Sequence, residues 1–363
     1  MRDLKRGRLV TGLVLSLALV GTACSSDDTA ADGDATPTAS DAADDMASDD
    51  PADDPADDMG AAGTVPIAGS STVGPISQFV AEDFGGDAAV EITGTGGGFK
   101  DRFCLAETAI NNASRTIKDE ELALCAENGV ENILELKVGI DGMTVMTSQD
   151  NDAGIECVNF NEIYALVGPE SGDVAMWSDA NDLVAELGGG ANDALPEVEL
   201  TTAGPGTESG TYDSFYELAI EDIAGDREIE EKFRPDWTGN NDDNVIIQGI
   251  AGNTYSFGWV GFAYFTEVSD QVKAFDVQDE DGNCVTPTPD TIATGEYPLS
   301  RDLYVYVNLD MLESDFGGTL ESYVDYYLSA DGYDLVAEAG YVQLTDDAWA
   351  ETQAAWDAKT ANV

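Results

Sequence analysis

The 363-residue sequence contains no histidine and only 15 lysine and arginine residues, against 72 aspartate and glutamate residues. The absence of histidine excludes a Ser-His-Asp or Cys-His catalytic pair and a histidine-ligated zinc site. The formal net charge of −57 argues against nucleic acid or an anionic membrane surface as a partner, because their phosphate groups would repel the protein. The hydrophobic content of 43% is still sufficient for a sizeable core, and the length favours two packed lobes.

The N-terminus has the composition of an export signal. Basic residues within 1–8 precede an almost uninterrupted apolar stretch at 9–20, which is too short for a comfortable membrane span. The next four residues, Gly-Thr-Ala-Cys, resemble a bacterial lipobox, although Gly21 stands where Leu or Val is usual. We therefore expect residues 1–24 to be a lipoprotein signal peptide and Cys24 to be lipidated. The alternative is an ordinary signal peptide cut nearby, with Cys24 as a free thiol.

An acidic segment follows at 25–63. It holds 13 aspartates and no lysine or arginine, and the rest is mostly Ala, Ser, Thr, Pro and Gly. Such a composition predicts a disordered tether, and it lacks the turn glycine and terminal glutamate of a calcium loop. The leader contributes +3 and the tether −13, so residues 64–363 still carry −47. A body this acidic suggests an acidic surface suited to salty surroundings.

The body alternates strand-like and helix-like segments. Apolar spacing predicts strands at 65–68, 89–93, 138–147, 256–262 and 303–308, and helices at 75–84, 98–106, 119–128, 159–166, 179–187, 211–219, 319–328 and 346–359. This alternation predicts an α/β fold with mostly parallel sheets. Four cysteines remain after Cys24, at 104, 125, 157 and 284, and in an exported chain they suggest two disulfides. Three pairings are open, and free buried thiols are the alternative.

Three junctions between a predicted strand and helix are rich in Gly, Ser and Thr. They read Gly-Ser-Ser-Thr-Val-Gly-Pro at 69–75, Gly-Thr-Gly-Gly-Gly-Phe-Lys at 94–100, and Gly-Pro-Gly-Thr-Glu-Ser-Gly-Thr-Tyr at 204–212. Helix N-termini with hydroxyl groups beside them bind small oxyanions, although each segment alone is explained equally well by helix capping. Arg115 follows Asn-Ala-Ser at 112–114, and its planar guanidinium suits phosphate oxygens; a surface ion pair is the alternative.

Taken in order, these segments resemble a known family. Together with Asp-Gly at 141–142 and Pro-Leu-Ser-Arg at 298–301, they are similar to the periplasmic phosphate-binding proteins of Pst-type ABC importers. The resemblance implies a class II binding-protein (Venus-flytrap) fold with two lobes and two hinge crossings. Lobe I would comprise 64–140 plus 300–363, and lobe II 141–299. The cysteine pairs Cys104–Cys125 and Cys157–Cys284 would then each lie within one lobe.

The resemblance also implies a phosphate shell. It would comprise Ser71, Thr72, Val73, Thr95, Gly96, Arg115, Ser209, Gly210 and Thr211. Many members have Asp where this chain has Arg115, so the carboxylate that accepts the ligand's proton must come from elsewhere. Asp141 is the first candidate and Glu208 the second, while a hinge or turn role is the alternative for Asp141. For Arg301 a hinge ion pair is the preferred role, and a place facing the cleft is the alternative. Trp237 and Trp259 would serve in packing.

The implied function is capture of inorganic phosphate and its delivery to the transmembrane subunits of an ABC permease. The protein would be a monomer, exported and lipid-anchored at the outer face of the cytoplasmic membrane. It would perform no enzymatic reaction and need no cofactor or metal. The alternatives are a receptor for another tetrahedral oxyanion (sulfate or molybdate), a phosphatase on the same fold, and a purely structural surface protein.

Overall fold

The computed structural model of the protein describes residues 63–85, 87–207 and 209–363. The predicted signal peptide, the predicted lipidation site Cys24 and all but the last residue of the predicted tether lie outside the described residues. Glu208, the second candidate for the proton acceptor, also lies outside them.

The described residues form an alternating series of strands and helices. The strands are β1 (Val65–Gly69), β2 (Ala88–Ile92), β3 (Ile110–Ala113), β4 (Ile133–Ser148), β5 (Cys157–Val158), β6 (Thr201–Ala203), β7 (Ser256–Gly261), β8 (Val272–Ala274), β9 (Asp276–Gln278), β10 (Cys284–Val285) and β11 (Ser300–Asn308). The helices are α1 (Gly74–Phe84), α2 (Thr95–Asp101), α3 (Asp119–Glu127), α4 (Phe160–Val167), α5 (Asn181–Glu186), α6 (Gly210–Ala219), α7 (Glu221–Asp226), α8 (Asp243–Ala251), α9 (Phe262–Val268), α10 (Pro289–Ala293), α11 (Gly317–Tyr327), α12 (Ala330–Glu338) and α13 (Asp346–Ala358).

The main sheet is mixed, so the prediction of mostly parallel sheets is wrong. Its strands follow the order β2-β1-β3-β11-β4-β7-β6, and β8 also pairs with β4. The β1 pairs with β2 and β3 are parallel, but β11 runs antiparallel to β3 and β4, and β4 runs antiparallel to β7 and β8. The reason is that β4 and β11 carry the chain out of the first half of the sheet and back again, in opposite directions.

Strand β4 joins the two halves of the sheet. Its first part pairs with β11 as far as Gly142, and its second part, from Met143, pairs with β7 and β8. At the junction Asp141 lies directly opposite Arg301 in the register of β4 and β11. This pairing places a carboxylate and a guanidinium where the chain crosses between the halves.

Each half of the sheet has its own apolar core. One core is built from residues such as Val65, Ile67, Leu136, Val305 and Tyr323, and the other from residues such as Ile163, Trp177, Phe215, Trp259 and Phe275. The molecule therefore has two lobes joined through β4 and β11. The predicted boundaries of these lobes, at 140/141 and 299/300, stay a prediction.

Both predicted disulfides are present. Cys104–Cys125 ties the short 3-10 helix after α2 to α3, and Cys157–Cys284 ties β5 to β10. Beyond them, the C-terminal chain returns to the junction of the lobes: Val342 pairs with Ile140, and the Thr352 hydroxyl in α13 donates to the Lys137 carbonyl at 2.8 Å. The last helix thus braces β4 just before its crossing.

Candidate functional site

The segment that joins β1 to α1, residues 69–73 (loop 1), is held tightly against the end of β3. Gly69 has φ +131°, and a Cβ there would lie 2.1 Å from the Asn112 carbonyl oxygen, so only glycine fits. The Ser70 N–H donates to the same oxygen at 2.9 Å, and the Ser70 Oγ accepts from the Thr72 N–H at 3.1 Å. This arrangement fixes the direction in which α1 begins.

Helix α2 begins at Thr95, three residues before the predicted start at 98, and gives way to a 3-10 helix at 103–105. The earlier start follows from Gly94, whose φ of +75° turns the chain directly from β2 into the helix. At Gly98 a Cβ would lie 2.7 Å from the Gly69 Cα, so α2 packs backbone to backbone on loop 1. The first turn of α2, with Thr95 and Gly96, is thereby set beside loop 1.

Residues 114–118, after β3 (loop 3), carry the predicted charge donor. Arg115 forms a bidentate pair with Glu121 at 2.9 Å for each hydrogen bond, and the Glu121 side chain is fully buried. Burial opposes ionisation of Glu121, but Arg115 and the Lys118 N–H hold its pKa below the ordinary value. Arg115 is one-third exposed and belongs to the wall of the cleft, while the Ser114 N–H donates to Thr95 Oγ1 at 3.1 Å. Thr95 is the first residue of α2 and directly follows the Thr93–Gly94 turn (loop 2). Its hydrogen bond with Ser114 therefore connects loop 3 to the start of α2.

Residues 204–209 (loop 4) lead into α6 in the second lobe. Ser209 caps the helix, and its Oγ accepts from the Thr211 N–H at 3.2 Å. The Trp237 Nε1–H donates to the Pro205 carbonyl at 3.1 Å, and its ring stacks on Trp259 with centroids 4.6 Å apart. The packing role expected for both tryptophans is therefore confirmed, and Trp237 also holds loop 4 in place.

The two lobes meet at loops 1 and 4. A Cβ at Gly210 would lie 3.4 Å from the Ser71 carbonyl oxygen, so the start of α6 is in contact with loop 1. The Thr72 and Ser214 hydroxyl oxygens lie 2.9 Å apart across this boundary. Ser71, Thr72 and Gly210, all predicted from the sequence, are thus brought together. Val73 is fully buried, so it can face the cleft through its backbone only.

Arg301 lies at the centre of this meeting point. Its Nη2 donates to Thr72 Oγ1 at 3.2 Å and to Ser214 Oγ at 3.1 Å, its Nε to Asp141 Oδ2 at 3.2 Å, and its Nη1 to Glu217 Oε2 at 2.5 Å. Its side chain is only 14% exposed. The expected ion pair of Arg301 is present, with Asp141 as its partner. The same guanidinium also faces the cleft, which was the alternative role.

The electrostatics of this pair follow from its burial. Asp141 is 1% exposed, and burial raises the pKa of its carboxyl group although Arg301 opposes that rise. Burial disfavours the charged guanidinium of Arg301, but Asp141 and Glu217 more than compensate and raise its pKa. Arg301 therefore stays a cation, flanked by two carboxylates and two hydroxyl groups.

A cavity of about 700 Å³ adjoins Arg301 on the side of loops 2 and 3. Its walls include Thr95, Gly96, Ser114 and Arg115 from the first lobe, Glu217, Leu218 and Glu221 from the second, and Arg301 itself. The predicted Thr95, Gly96 and Arg115 therefore share one cavity with Arg301.

Sequence reasoning missed Ser214 and Glu217, and it preferred a hinge ion pair for Arg301 to a place in the cleft. Two signals pointed to them. Arg301 is one of only 11 basic residues after residue 63, and Ser214 and Glu217 lie three and six residues beyond Thr211, on one face of the helix that loop 4 begins.

Within the described residues, no group of three or more Asp, Glu or Cys side chains is arranged to hold a metal ion. Among the helices in that part of the chain, none is sufficiently long and apolar to cross a membrane.

Comparison with known proteins identifies the family. The model of the PBP superfamily domain matches residues 54–331. Curated relatives include the protein SphX of Synechococcus elongatus, 33% identical over 81% of this chain and 82% of its own length. Another is the phosphate-binding protein PstS of Staphylococcus saprophyticus, 32% identical over 81% of this chain and 85% of its own length.

Solved structures agree with this assignment. The crystal structure of a possible phosphate binding protein from Planctomyces limnophilus is 33% identical, covers 82% of this chain and 99% of its own, and has a TM-score of 0.71. The structure of PstS from Borrelia burgdorferi, 20% identical with a TM-score of 0.55, is similar in fold. The predicted two-lobed binding-protein fold is confirmed, and the chain belongs to the PBP superfamily, in the family of the PstS proteins.

Proposed function

We propose that this protein captures inorganic phosphate in the cleft between its lobes and delivers it to an ABC permease. The observation that carries the proposal is the convergence on Arg301 of the hydroxyl groups of Thr72 and Ser214, one from each lobe. A tetrahedral oxyanion needs donors on several sides, and donors drawn from both lobes couple its binding to lobe closure. The relative from Staphylococcus saprophyticus, which matches 81% of the chain, is named a phosphate-binding protein, and this supports phosphate as the ligand.

The proposed phosphate shell keeps all residues predicted from the sequence and adds two, Arg301 and Ser214. Ser71, Thr72, Val73, Thr95 and Gly96 would contribute hydroxyl and N–H donors from the first lobe, and Ser209, Gly210 and Thr211 from the second. Arg115 and Arg301 would supply the positive charge, with Ser214 and Glu217 beside Arg301. The first N–H groups of a helix have no partner within that helix. At the start of α6 the Gly210 N–H has no hydrogen-bond partner among the described residues, and Gly210 lies against loop 1.

Asp141 is the proposed acceptor of the ligand's proton. Phosphate retains a proton near neutral pH and sulfate does not, so a buried carboxylate accepts a hydrogen bond from the first and repels the second. Its place beside Arg301, at 1% exposure, supports this role because a buried charge is costly to leave unpaired.

The rest of the proposal concerns the setting of the protein. It would be exported, anchored through a lipidated Cys24 at the outer face of the cytoplasmic membrane, monomeric, and without enzymatic activity or cofactor. Globomycin treatment tests the anchor: a precursor should accumulate if Cys24 is lipidated, and processing should continue unchanged if it is not.

Titration calorimetry tests the ligand. The purified protein should bind phosphate tightly and sulfate and molybdate weakly or not at all. Tighter binding of sulfate or molybdate would establish the alternative receptor, and binding of none of them would contradict the proposal. Turnover of a phosphate ester would establish a phosphatase; no histidine is present to serve as its base.

A further inference from the structure

Glu217 carries a contact between the lobes that the proposed function does not use. It lies on α6, one turn beyond Ser214, and reaches towards the first lobe. Its Oε2 accepts from Arg301 Nη1 at 2.5 Å and from Ser114 Oγ at 3.4 Å. Ser114 Oγ also lies 3.1 Å from Thr95 Oγ1. One carboxylate oxygen therefore touches the central cation and a hydroxyl group that is bonded to the predicted phosphate shell.

Glu217 and Asp141 meet the cleft differently. The Glu217 side chain is 37% exposed and lines the 700 Å³ cavity, and its Oε1 has no hydrogen-bond partner among the described residues. Asp141 is buried and directs Oδ2 to Arg301 Nε. An ion entering through the cavity would therefore reach Glu217 before it reaches Asp141.

The positive charge of Arg301 is exceeded by the negative charge of its two carboxylate partners. One guanidinium stands between two carboxylates, so Arg301, Asp141 and Glu217 together carry −1. The other charged groups that line the cavity or act on Glu217 are Arg115, Lys118, Lys232, Glu221, Asp222 and Asp302. Asp302 is paired with Lys137, and the charges of Lys118 and Asp222 offset each other. Arg115 is matched by Glu121 and Lys232 by Asp213, at 2.7 Å, and Glu221 adds a further negative charge. The surroundings of Glu217 therefore remain negative and disfavour an anion without protons.

We propose that Glu217 is a second proton acceptor of the phosphate site, and that Asp141 and Glu217 together select the doubly protonated ion, dihydrogen phosphate. Each of its two O–H groups would donate one hydrogen bond to one carboxylate, and its other two oxygens would accept from Arg301 and the hydroxyl groups. No proton leaves the ion, so the step is binding only. This inference rests on the proposed function and names the ionic form of its ligand.

A pH dependence follows from this selection. Dihydrogen phosphate loses its second proton near neutral pH. At pH values well above that pKa, the fraction of phosphate in the dihydrogen form decreases tenfold for each pH unit, and the apparent affinity of the wild type should fall in parallel. In Glu217→Gln an amide replaces the carboxylate and offers a donor where the second acceptor was. The monohydrogen ion should then bind with one proton directed to Asp141, so that the affinity depends much less on pH.

Calorimetric titration of the full chain with inorganic phosphate from pH 6 to pH 9, at constant ionic strength, tests the inference. Between pH 7 and pH 9 the wild-type Kd should rise about 50-fold, because about half of the phosphate is already in the monohydrogen form at pH 7, and that of Glu217→Gln by less than fivefold. Glu221→Gln is the matched control: it removes the same charge from the same cavity, at a residue with no hydrogen bond to Arg301 in the described chain, and should follow the wild type.

The outcomes separate the two proposals. Phosphate binding with the same pH slope in the wild type and in Glu217→Gln overturns the role of Glu217 and leaves the proposed function standing. Equal flattening in Glu217→Gln and Glu221→Gln also overturns it, because general electrostatics would then explain the change. A wild type that binds no phosphate at any pH overturns the proposed function, and the inference with it.

Discussion

The hydroxyl oxygens of Thr72 and Ser214 lie 2.9 Å apart although their residues belong to different lobes. Arg301 donates to both of them from a single nitrogen, Nη2. Protein groups alone therefore hold the lobes in contact at this point. A ligand that binds between the lobes gains from contacts that are already in place, because less of its binding free energy is needed to close the cleft.

The coupling between these two hydroxyl groups can be measured. Thr72→Val and Ser214→Ala should each weaken phosphate binding roughly fivefold, since a hydrogen bond contributes about 1 kcal/mol. The double variant should lose less than the sum of the two, because the second change removes a contact that the first has already broken. Calorimetric titration of the four proteins gives the cycle. Strictly additive losses would show that the hydroxyl groups act independently.

The two arginines of the cleft should both be required for binding. Arg115→Ala and Arg301→Ala each remove positive charge from the cavity wall, and each should lose most of the affinity for phosphate, at least tenfold. Arg102→Ala is the control, because Arg102 forms a part-exposed ion pair with Glu91 and is not among the residues that line the cavity. Its affinity should stay within about twofold of the wild type.

The stability of these variants supplies a second measurement. Arg301→Ala leaves Asp141 buried and unpaired, which costs about 3–5 kcal/mol by analogy with other buried pairs, so urea unfolding must confirm that the protein is folded. If Arg115→Ala binds phosphate normally, Arg301 carries the charge alone and the sequence-based assignment of Arg115 is wrong.

Asp141→Asn should weaken phosphate binding and relax the discrimination against sulfate. The amide keeps the size of the side chain but replaces an acceptor with a donor, so an oxyanion without protons is no longer repelled. The ratio of the two calorimetric affinities should fall by at least tenfold, on the order expected for a buried polar group left unpaired. Unchanged affinities for both ions would show that Asp141 only positions Arg301.

The sequence predicted the order of elements well because most strands and helices have an apolar face of regular period. The prediction failed for strand direction, because the direction of a strand depends on partners that are distant in the sequence. Strands β4 and β11 have the pattern of ordinary strands, and no local sequence signal shows that they run antiparallel to their neighbours. The start of α2 was also misplaced. Gly94 adopts a positive φ there. The segment contains four glycines, at 94 and 96–98, and the sequence does not show which of them turns the chain.

The candidate site was predicted in part for a similar reason. Residues in Gly-, Ser- and Thr-rich loops stand out because loop chemistry is local. Ser214 and Glu217 lie within a helix, where hydroxyl and carboxylate side chains are common on solvent faces. Only the packing of α6 against the first lobe turns that face towards Arg301. The Cys104–Cys125 and Cys157–Cys284 pairs were predictable because both cysteines of each pair belong to the same expected lobe.

Acid should remove the stabilisation that the Arg115–Glu121 pair gives to the folded protein. Burial alone would raise the pKa of Glu121, but Arg115 and the Lys118 N–H hold it below the ordinary value of a glutamate. The unfolded chain therefore binds this proton more readily than the folded one. The stabilisation is complete above about pH 4.5 and is lost as the pH falls through the folded-state value.

Urea unfolding between pH 3 and pH 7 checks this expectation. Glu121→Gln should be about 1–3 kcal/mol less stable than the wild type at pH 7, and the difference should shrink towards pH 3. Glu120→Gln is the control: Glu120 forms an exposed pair with Lys100, which contributes little to stability. A difference between Glu121→Gln and the wild type that is independent of pH would show that packing, rather than charge, accounts for it.

Salt should speed the capture of phosphate without changing the rate of its release. Residues 64–363 carry −47, so at low ionic strength the protein repels an approaching anion over a screening length of about 30 Å at 0.01 M salt. At 0.1 M that length falls to about 10 Å, and an ion held in the proposed site beside Arg301 should be affected far less. Trp237, which is bonded to loop 4 through Pro205, should report binding in stopped-flow fluorescence. The association rate should rise several-fold between 0.01 and 0.5 M sodium chloride while the dissociation rate stays constant. An association rate that falls with salt would mean that local positive charge at the cleft attracts the ion more strongly than the acidic surface repels it.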